Sequence, residues 1–259
     1  MAGAMLSFGG LLSEVLQGGA PGLTASNPGI VKVLGGFVFP VGLVMIILQG
    51  QELLTSNMMT FPMAVIKGAV PFWSLVVNWI IVFFGNLVGS LFFAAILVRY
   101  SGVVSTDPYH SFIASFAIKK AGEPEWHQIF LRGIGCNWLV SVAVWQAAGA
   151  KETISKIFAA WIPIWIFVAC SYDHVVANMF SVPLGIMFGA QLTAAEYIRK
   201  SLIASLIGNI VGALLVGLPG VYFFLRDDGD GSLESAENGE VMDPSPLSSN
   251  VRVVKEKGM

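Results

Sequence analysis

Six long apolar blocks, separated by more polar stretches, are the feature that most constrains the fold of this 259-residue chain. They cover residues 1–16, 33–66 with an interruption, 73–98, 129–148, 157–188 with an interruption, and 202–225. A transmembrane helix needs about 20 mostly apolar residues. Only 12% of the residues are charged, against about 25% in a soluble domain. Because so few charges cannot cover a surface in water, the sequence predicts an all-α membrane protein with several spans.

Composition also excludes several other classes of protein. The formal net charge of -2 gives no indication of nucleic-acid binding. The three histidines are too scattered for a metal cluster, and no cofactor is indicated. Cys136 and Cys170 lie inside apolar blocks and are predicted to be small buried residues, not a disulfide. The predicted spans would place equal numbers of Lys and Arg residues on the two sides of the membrane, so charge does not decide the orientation of the chain.

The C-terminal segment differs in character from the rest of the chain. Residues 227–259 are rich in Asp, Glu, Ser, Gly and Pro, which predicts a disordered polar tail. Residues 1–226 are then the transmembrane domain. The first block is short for a span, so either its helix is tilted or the chain begins inside it.

An internal repeat relates the two interrupted blocks. Residues 52–58 (ELLTSNM) align without gaps on residues 173–179 (DHVVANM), at an offset of 121. Residues 85–89 (GNLVG) match residues 208–212 (GNIVG) at an offset of 123. Several identities in one order at nearly one offset indicate a repeated unit of three spans.

A repeat of three spans must place its second copy upside down in the membrane. The sequence therefore predicts two inverted three-helix halves, with the second and fifth of six transmembrane helices broken. Transporters with this plan bind their solutes at interrupted helices near the midplane. Because lipid cannot satisfy the freed backbone groups, both breaks should face a common pathway.

His174 is the sharpest functional candidate, because it is an ionisable residue at a helix break between apolar segments. Its imidazole can exchange protons near neutral pH. The alternative is a structural histidine that bridges the break. Thr55, at the other break, has a hydroxyl that can hold the imidazole or the solute. Asn57, Asn178 and Asn137 can donate to an anion or to freed backbone groups.

Other candidates carry less specific signals. Lys120 precedes the fourth block and would raise the local anion concentration at a pore mouth, unless it is a solvated loop lysine. Glu52 and Asp173 occupy matched positions, where capping or ion pairing is favoured over solute contact. Four apolar residues could form constrictions, although packing is the commoner role: Phe39, Leu43, Leu54 and Phe167.

Three motifs resemble the formate/nitrite transporter family. They are residues 50–57 (GQELLTSN), 132–140 (RGIGCNWLV) and 173–180 (DHVVANMF). The resemblance covers residues 1–226, and within the family the chain is most similar to the fungal nitrite transporters. It departs at Ser171, Tyr172 and Asp173, where the family usually has Gly-Phe-Glu before the histidine. It also departs at Leu54, where the family usually has an aromatic residue.

The resemblance implies an aquaporin-like fold with six spans, a homopentamer, and one pore per protomer in the cell membrane, the plasma membrane if the source is fungal. It also implies a first helix truncated at its N-terminus. The family's central histidine falls on His174, its loop threonine on Thr55, and its vestibule lysine on Lys120 or the adjacent Lys119. The family's constriction positions fall on the four apolar residues given above.

These features together predict a transporter and not an enzyme. Its substrate would be nitrite, accompanied by a proton, with wider permeation of small monovalent weak-acid anions. The alternatives are a formate or hydrosulfide channel on the same fold, a neutral-solute channel, or a membrane enzyme using His174. Intramembrane catalysis would need a paired acid, nucleophile or metal set beside that histidine.

Overall fold

The computed structural model describes residues 1–225, so the disordered tail predicted for residues 227–259 lies outside the described residues. The described part is helical and contains no strand. Its helices are α1 Ala2–Gly18, α2 Pro21–Ser26, α3 Pro28–Val38, α4 Val41–Leu48, α5 Leu54–Ile66, α6 Phe72–Phe92, α7 Tyr109–Ala117, α8 Trp126–Gly149, α9 Thr153–Ala169, α10 Val175–Met187, α11 Ala194–Glu196 and α12 Ile203–Phe224. Wider π-helical turns at Phe93–Tyr100, Ile118–Gly122 and Tyr197–Leu202 continue α6, continue α7 and precede α12.

Several of these helices have the length and composition of membrane spans. Within residues 1–225, three continuous helical stretches are long and apolar enough to cross a bilayer: Pro28–Leu48, Phe72–Tyr100 and Ala194–Phe224. The apolar helices α9 and α10 are shorter and together fill the fifth predicted block. The predicted all-helical membrane fold is therefore confirmed, while the count of six crossings and the inverted orientation of the halves stay predictions.

Both predicted helix breaks are present, between α4 and α5 and between α9 and α10. In each break the chain turns through one residue with a left-handed backbone, Gly50 at φ 62° and Ser171 at φ 61°. These two residues are 121 positions apart, the same offset as the sequence repeat. Glycine adopts this conformation freely, whereas an L-residue such as serine pays roughly 1–2 kcal/mol.

The segment 18–29 has the glycines and prolines typical of a loop, but it contains α2 and the start of α3, and each of these helices begins with a proline, which is favoured in the first helical turn. One prediction about the cysteines was wrong. Cys170 is exposed and not buried, because it ends α9 at the edge of the break. Cys136 is buried as predicted, and neither cysteine forms a disulfide.

The contact between α8 and α12 depends on two glycines of the repeated motif. A Cβ atom added to Gly208 would lie 2.2 Å from the Phe130 carbonyl oxygen. A Cβ added to Gly212 would lie 2.2 Å from the Ile134 carbonyl oxygen. Small residues allow two helix backbones to approach this closely inside a membrane. Asn209, between the two glycines, is thereby held within reach of the second break.

Candidate functional site

Asn209 satisfies the backbone of the second break. Its Oδ1 atom accepts a hydrogen bond from the Val175 N–H at 2.8 Å. Its Nδ2 atom donates to the carbonyl oxygens of Asp173 and Gly133, both at 2.9 Å. The side chain is fully buried. Since neither lipid nor a packed core offers water to these groups, the break depends on this amide.

Asn86 performs the same task at the first break, 123 positions earlier. Its Oδ1 atom accepts from the Leu54 N–H at 3.0 Å, and its Nδ2 atom donates to the Glu52 carbonyl oxygen at 3.0 Å. Within the breaks, Asn57 donates to the Glu52 carboxylate, and Asn178 donates to the Asp173 carboxylate. The repeated motifs thus build two breaks with the same hydrogen bonds.

His174 and Thr55 join the two breaks directly. The distance between Thr55 Oγ1 and His174 Nε2 is 2.9 Å, and both side chains are buried. His174 Nδ1 accepts a hydrogen bond from the Ala177 N–H at 3.1 Å, which caps the N-terminus of α10. Because an accepting Nδ1 carries no proton, the proton of the neutral ring is assigned to Nε2, which donates to the threonine. His174 therefore links the two breaks through its Nε2 hydrogen and caps α10 through Nδ1.

A cavity of about 60 Å³ adjoins this junction. A water molecule needs about 10–15 Å³ on this measure, so the space holds about four to six waters or one small anion. Five predicted site residues line it: His174, Lys120, Asn178, Phe39 and Phe167. His174, Asn178 and Phe167 belong to the second break or the helices beside it, Lys120 contacts that break, and Phe39 lies between α3 and α4, so the cavity adjoins the second break.

The predicted constriction residues separate into two groups. The Phe39 and Phe167 rings pack edge to face with centroids 5.8 Å apart, and Phe167 stacks on the His174 ring at the same distance. They form an aromatic wall beside the imidazole. Leu43 is buried in the core and does not line the cavity, and Leu54 borders a separate apolar space.

The asparagines also differ in position. Asn137 is fully buried and does not line the cavity. It donates to the carbonyl oxygens of Thr55 at 3.1 Å and of Asn209 at 2.8 Å, so it supports the backbone next to the His174–Thr55 junction. Asn178 does line the cavity, but its amide already donates to Asp173 at 3.2 Å.

Lys120 is held by the second break. Its Nζ atom donates to the carbonyl oxygens of Ser171 and Tyr172, both at 3.0 Å, and lies 3.4 Å from Asp173 Oδ1. An ammonium has three N–H donors, and three acceptors surround this one. Lys119 is exposed and does not line the cavity, so Lys120 is the one of the two lysines that lines it, and its role as a vestibule lysine stays a prediction.

Glu14 is a cavity residue that the sequence analysis did not select. It lies on α1, is 3% exposed, and lines the same cavity as His174 and Lys120. Within residues 1–225 neither carboxyl oxygen has a hydrogen-bond partner. The available signal was an acidic residue inside an apolar block, which is costly in a membrane and marks functional sites.

Broken helices that meet beside a small buried cavity are typical of membrane proteins that transport small solutes. The sequence profile described as formate/nitrite transporter matches residues 1–223, and the chain belongs to that family. It is therefore a multi-pass membrane channel or transporter for small anions, and not an enzyme. The predicted family is confirmed, whereas the fungal nitrite subgroup stays a prediction.

Individual relatives agree with this assignment. A probable formate transporter of Methanothermobacter thermautotrophicus is 38% identical over 88% of this chain and 87% of its own. The formate channel BtFdhC of Bacillus thuringiensis is 36% identical over 86% and 83%. Among solved structures, a pentameric formate channel with formate bound has a TM-score of 0.74 at 28% identity, over 87% of this chain and 93% of its own. An ion channel of the same family has a TM-score of 0.77 at 30% identity, over 86% of each chain.

Proposed function

We propose that the chain carries small monovalent weak-acid anions, nitrite and formate among them, across the cell membrane together with a proton. The observation that supports this most is the small cavity beside the junction of His174 and Thr55, with a lysine on its wall. The cavity's size suits an anion of three or four atoms. The lysine supplies positive charge at the entrance to the junction.

The need for a proton follows from the wall of the cavity. Phe39 and Phe167 offer no hydrogen bonds, and a bare anion passing between them and His174 would lose hydration that nothing there replaces. Lys120 compensates only in part, because its charge is already paired with Asp173. A proton shared with the anion removes most of this cost and leaves a small neutral acid to cross.

Formate is a second candidate for the principal substrate. The motif resemblance favours nitrite, whereas the names of relatives from Methanothermobacter thermautotrophicus and Bacillus thuringiensis favour formate. Both ions are small anions of weak acids, so the same cavity chemistry serves either. The order of preference between them is the part of the proposal that a flux measurement decides.

The assembly is proposed to be a homopentamer with one pathway in each protomer. This part of the proposal rests on the pentameric formate channel, which shares the fold at a TM-score of 0.74. The cavity and the His174–Thr55 junction lie within a single chain, so each protomer has its own candidate pathway.

The test is flux into proteoliposomes containing the purified protein. Nitrite and formate uptake should rise as external pH falls, and a protonophore should weaken their accumulation. Water permeation through the protein should stay low. Anion flux that ignores the pH gradient and follows only the membrane voltage would refute proton coupling, and water permeation without anion flux would refute the anion substrate.

A further inference from the structure

Glu14 is buried without a partner in a place where an unpaired carboxylate is costly. It lies in the C-terminal third of α1, and the Ser181 hydroxyl on α10 is its nearest polar neighbour but does not meet hydrogen-bond geometry. Neither oxygen forms a hydrogen bond to any described residue, nor does Glu14 form an ion pair within residues 1–225. A carboxyl group in these surroundings is much cheaper to hold with its proton than as an anion.

Glu14 lies where its proton can reach a solute in the cavity. The carboxyl shares its cavity with four other titratable groups: Lys32 from α3, Lys120 from the turn after α7, and Tyr172 and His174 from the second break. Lys120 is paired with Asp173, and the imidazole hydrogen is engaged with Thr55. Glu14 is the carboxylic acid among these groups, and neither of its oxygens forms a hydrogen bond of ordinary geometry with a described residue.

The geometry points to Glu14 as the residue that passes a proton to the anion in the cavity, before the anion reaches His174. In this step the O–H bond of the protonated carboxyl breaks and an O–H bond forms on nitrite or formate. The resulting carboxylate remains in a cavity that also contains the Lys32 and Lys120 ammonium groups, and it regains a proton from hydronium in the solution on the side from which the anion entered. The apolar surroundings that disfavour the Glu14 carboxylate also disfavour a bare formate anion beside it.

This inference rests on the proposed proton-coupled function and identifies the residue that performs the coupling. The experiment compares wild type, Glu14→Gln, Glu14→Asp and the control Glu123→Gln, an exposed acid that does not line the cavity. Formate flux and internal pH are recorded together in proteoliposomes over a range of external pH. Glutamine keeps the size and hydrogen-bonding capacity of a neutral carboxyl but exchanges no proton.

The expected result is a loss of about tenfold or more in flux for Glu14→Gln, which is below the usual range for a positioned proton donor because water can partly replace it. Its flux should also lose the wild-type dependence on pH, while Glu14→Asp recovers part of both and Glu123→Gln behaves as wild type. A purely structural Glu14 would instead tolerate glutamine, with an unchanged pH profile.

An infrared difference spectrum keeps the inference testable if Glu14→Gln assembles poorly. Adding formate to wild-type protein should weaken a protonated-carboxyl band, and Glu14→Asp should shift that band. The wild-type flux can be coupled to protons while Glu14→Gln keeps the wild-type pH profile and no carboxyl band responds to formate. That result overturns the role of Glu14 but leaves the proposed function standing. Wild-type flux without any proton movement overturns the proposed function and this inference with it.

Discussion

Replacing Lys120 by alanine tests whether this lysine is a freely available anion attractor or a fixed part of the second break. The side chain is 14% exposed and its partner Asp173 is fully buried. Removal of the ammonium leaves the Asp173 charge without its cation. It also leaves the carbonyl oxygens of Ser171 and Tyr172 without their donor.

The size of the effect follows from that geometry. Removing one member of a buried ion pair costs about 3–5 kcal/mol, because the other charge is left unpaired. The residual exposure of Lys120 favours the lower end, about 3 kcal/mol. For a chain of this length, that corresponds to a fall of roughly 6–12 °C in the apparent melting temperature.

The assay is thermal unfolding of purified protein in one detergent, followed by aromatic fluorescence. Lys119→Ala is the matched control, because Lys119 is the exposed neighbour in the same turn. The double variant Lys120→Ala/Asp173→Asn should recover part of the loss, since the uncompensated charge is gone. Equal melting temperatures for Lys120→Ala and Lys119→Ala, with only a raised half-saturating anion concentration for the former, would refute the structural role and leave pure anion capture.

Four further substitutions, at His174, at the two left-handed residues and at Asn209, have defined outcomes. His174→Phe removes the bond to Thr55 and the cap on α10, and nitrite flux should fall at least about tenfold with membrane expression intact; normal flux at normal expression would exclude a central role. Ser171→Gly should stabilise the protein by about 1 kcal/mol and Gly50→Ala should destabilise it by a similar amount, because both act on a left-handed residue; melting temperatures that move the other way would contradict the backbone argument. Asn209→Ala should cost about 3 kcal/mol by leaving two backbone groups of the break unpaired and by removing the bond to the Gly133 carbonyl of α8, and unchanged thermal stability would show that water replaces the amide.

The sequence predicted the helices and breaks well because the signals for them are local. Apolar blocks of membrane-spanning length and a repeated motif need no knowledge of distant contacts. The meeting of His174 and Thr55 was also predictable, since two breaks that must avoid lipid were expected to face each other.

The rest of the site depends on contacts between segments far apart in sequence. The burial of Glu14 results from the packing of α1 against α10, and the pairing of Lys120 depends on how the second break turns at Ser171. Leu43 and Leu54 do not line this cavity, and their role as constriction residues stays a prediction, because the apolar pattern of a helix buried on most sides does not tell which face borders the solute.

The residues that differ between the two copies of the repeat are better candidates for solute and proton binding than the residues that match. Asn86 and Asn209 form matching hydrogen bonds at the two breaks, so the geometry that the two halves share serves to hold the breaks in place. At the offset of 121, His174 corresponds to Leu53, and Thr55 corresponds to Val176.

The two acids of the repeat are also no longer equivalent. Asp173 is buried against Lys120, whereas Glu52 is exposed and accepts hydrogen bonds from Asn57 and Asn78. The groups able to attract an anion or exchange a proton therefore gather at the second break, and each half supplies one member of the central pair. The proposed function then implies an order of events, in which the anion is captured and protonated in the cavity before it passes His174 and Thr55.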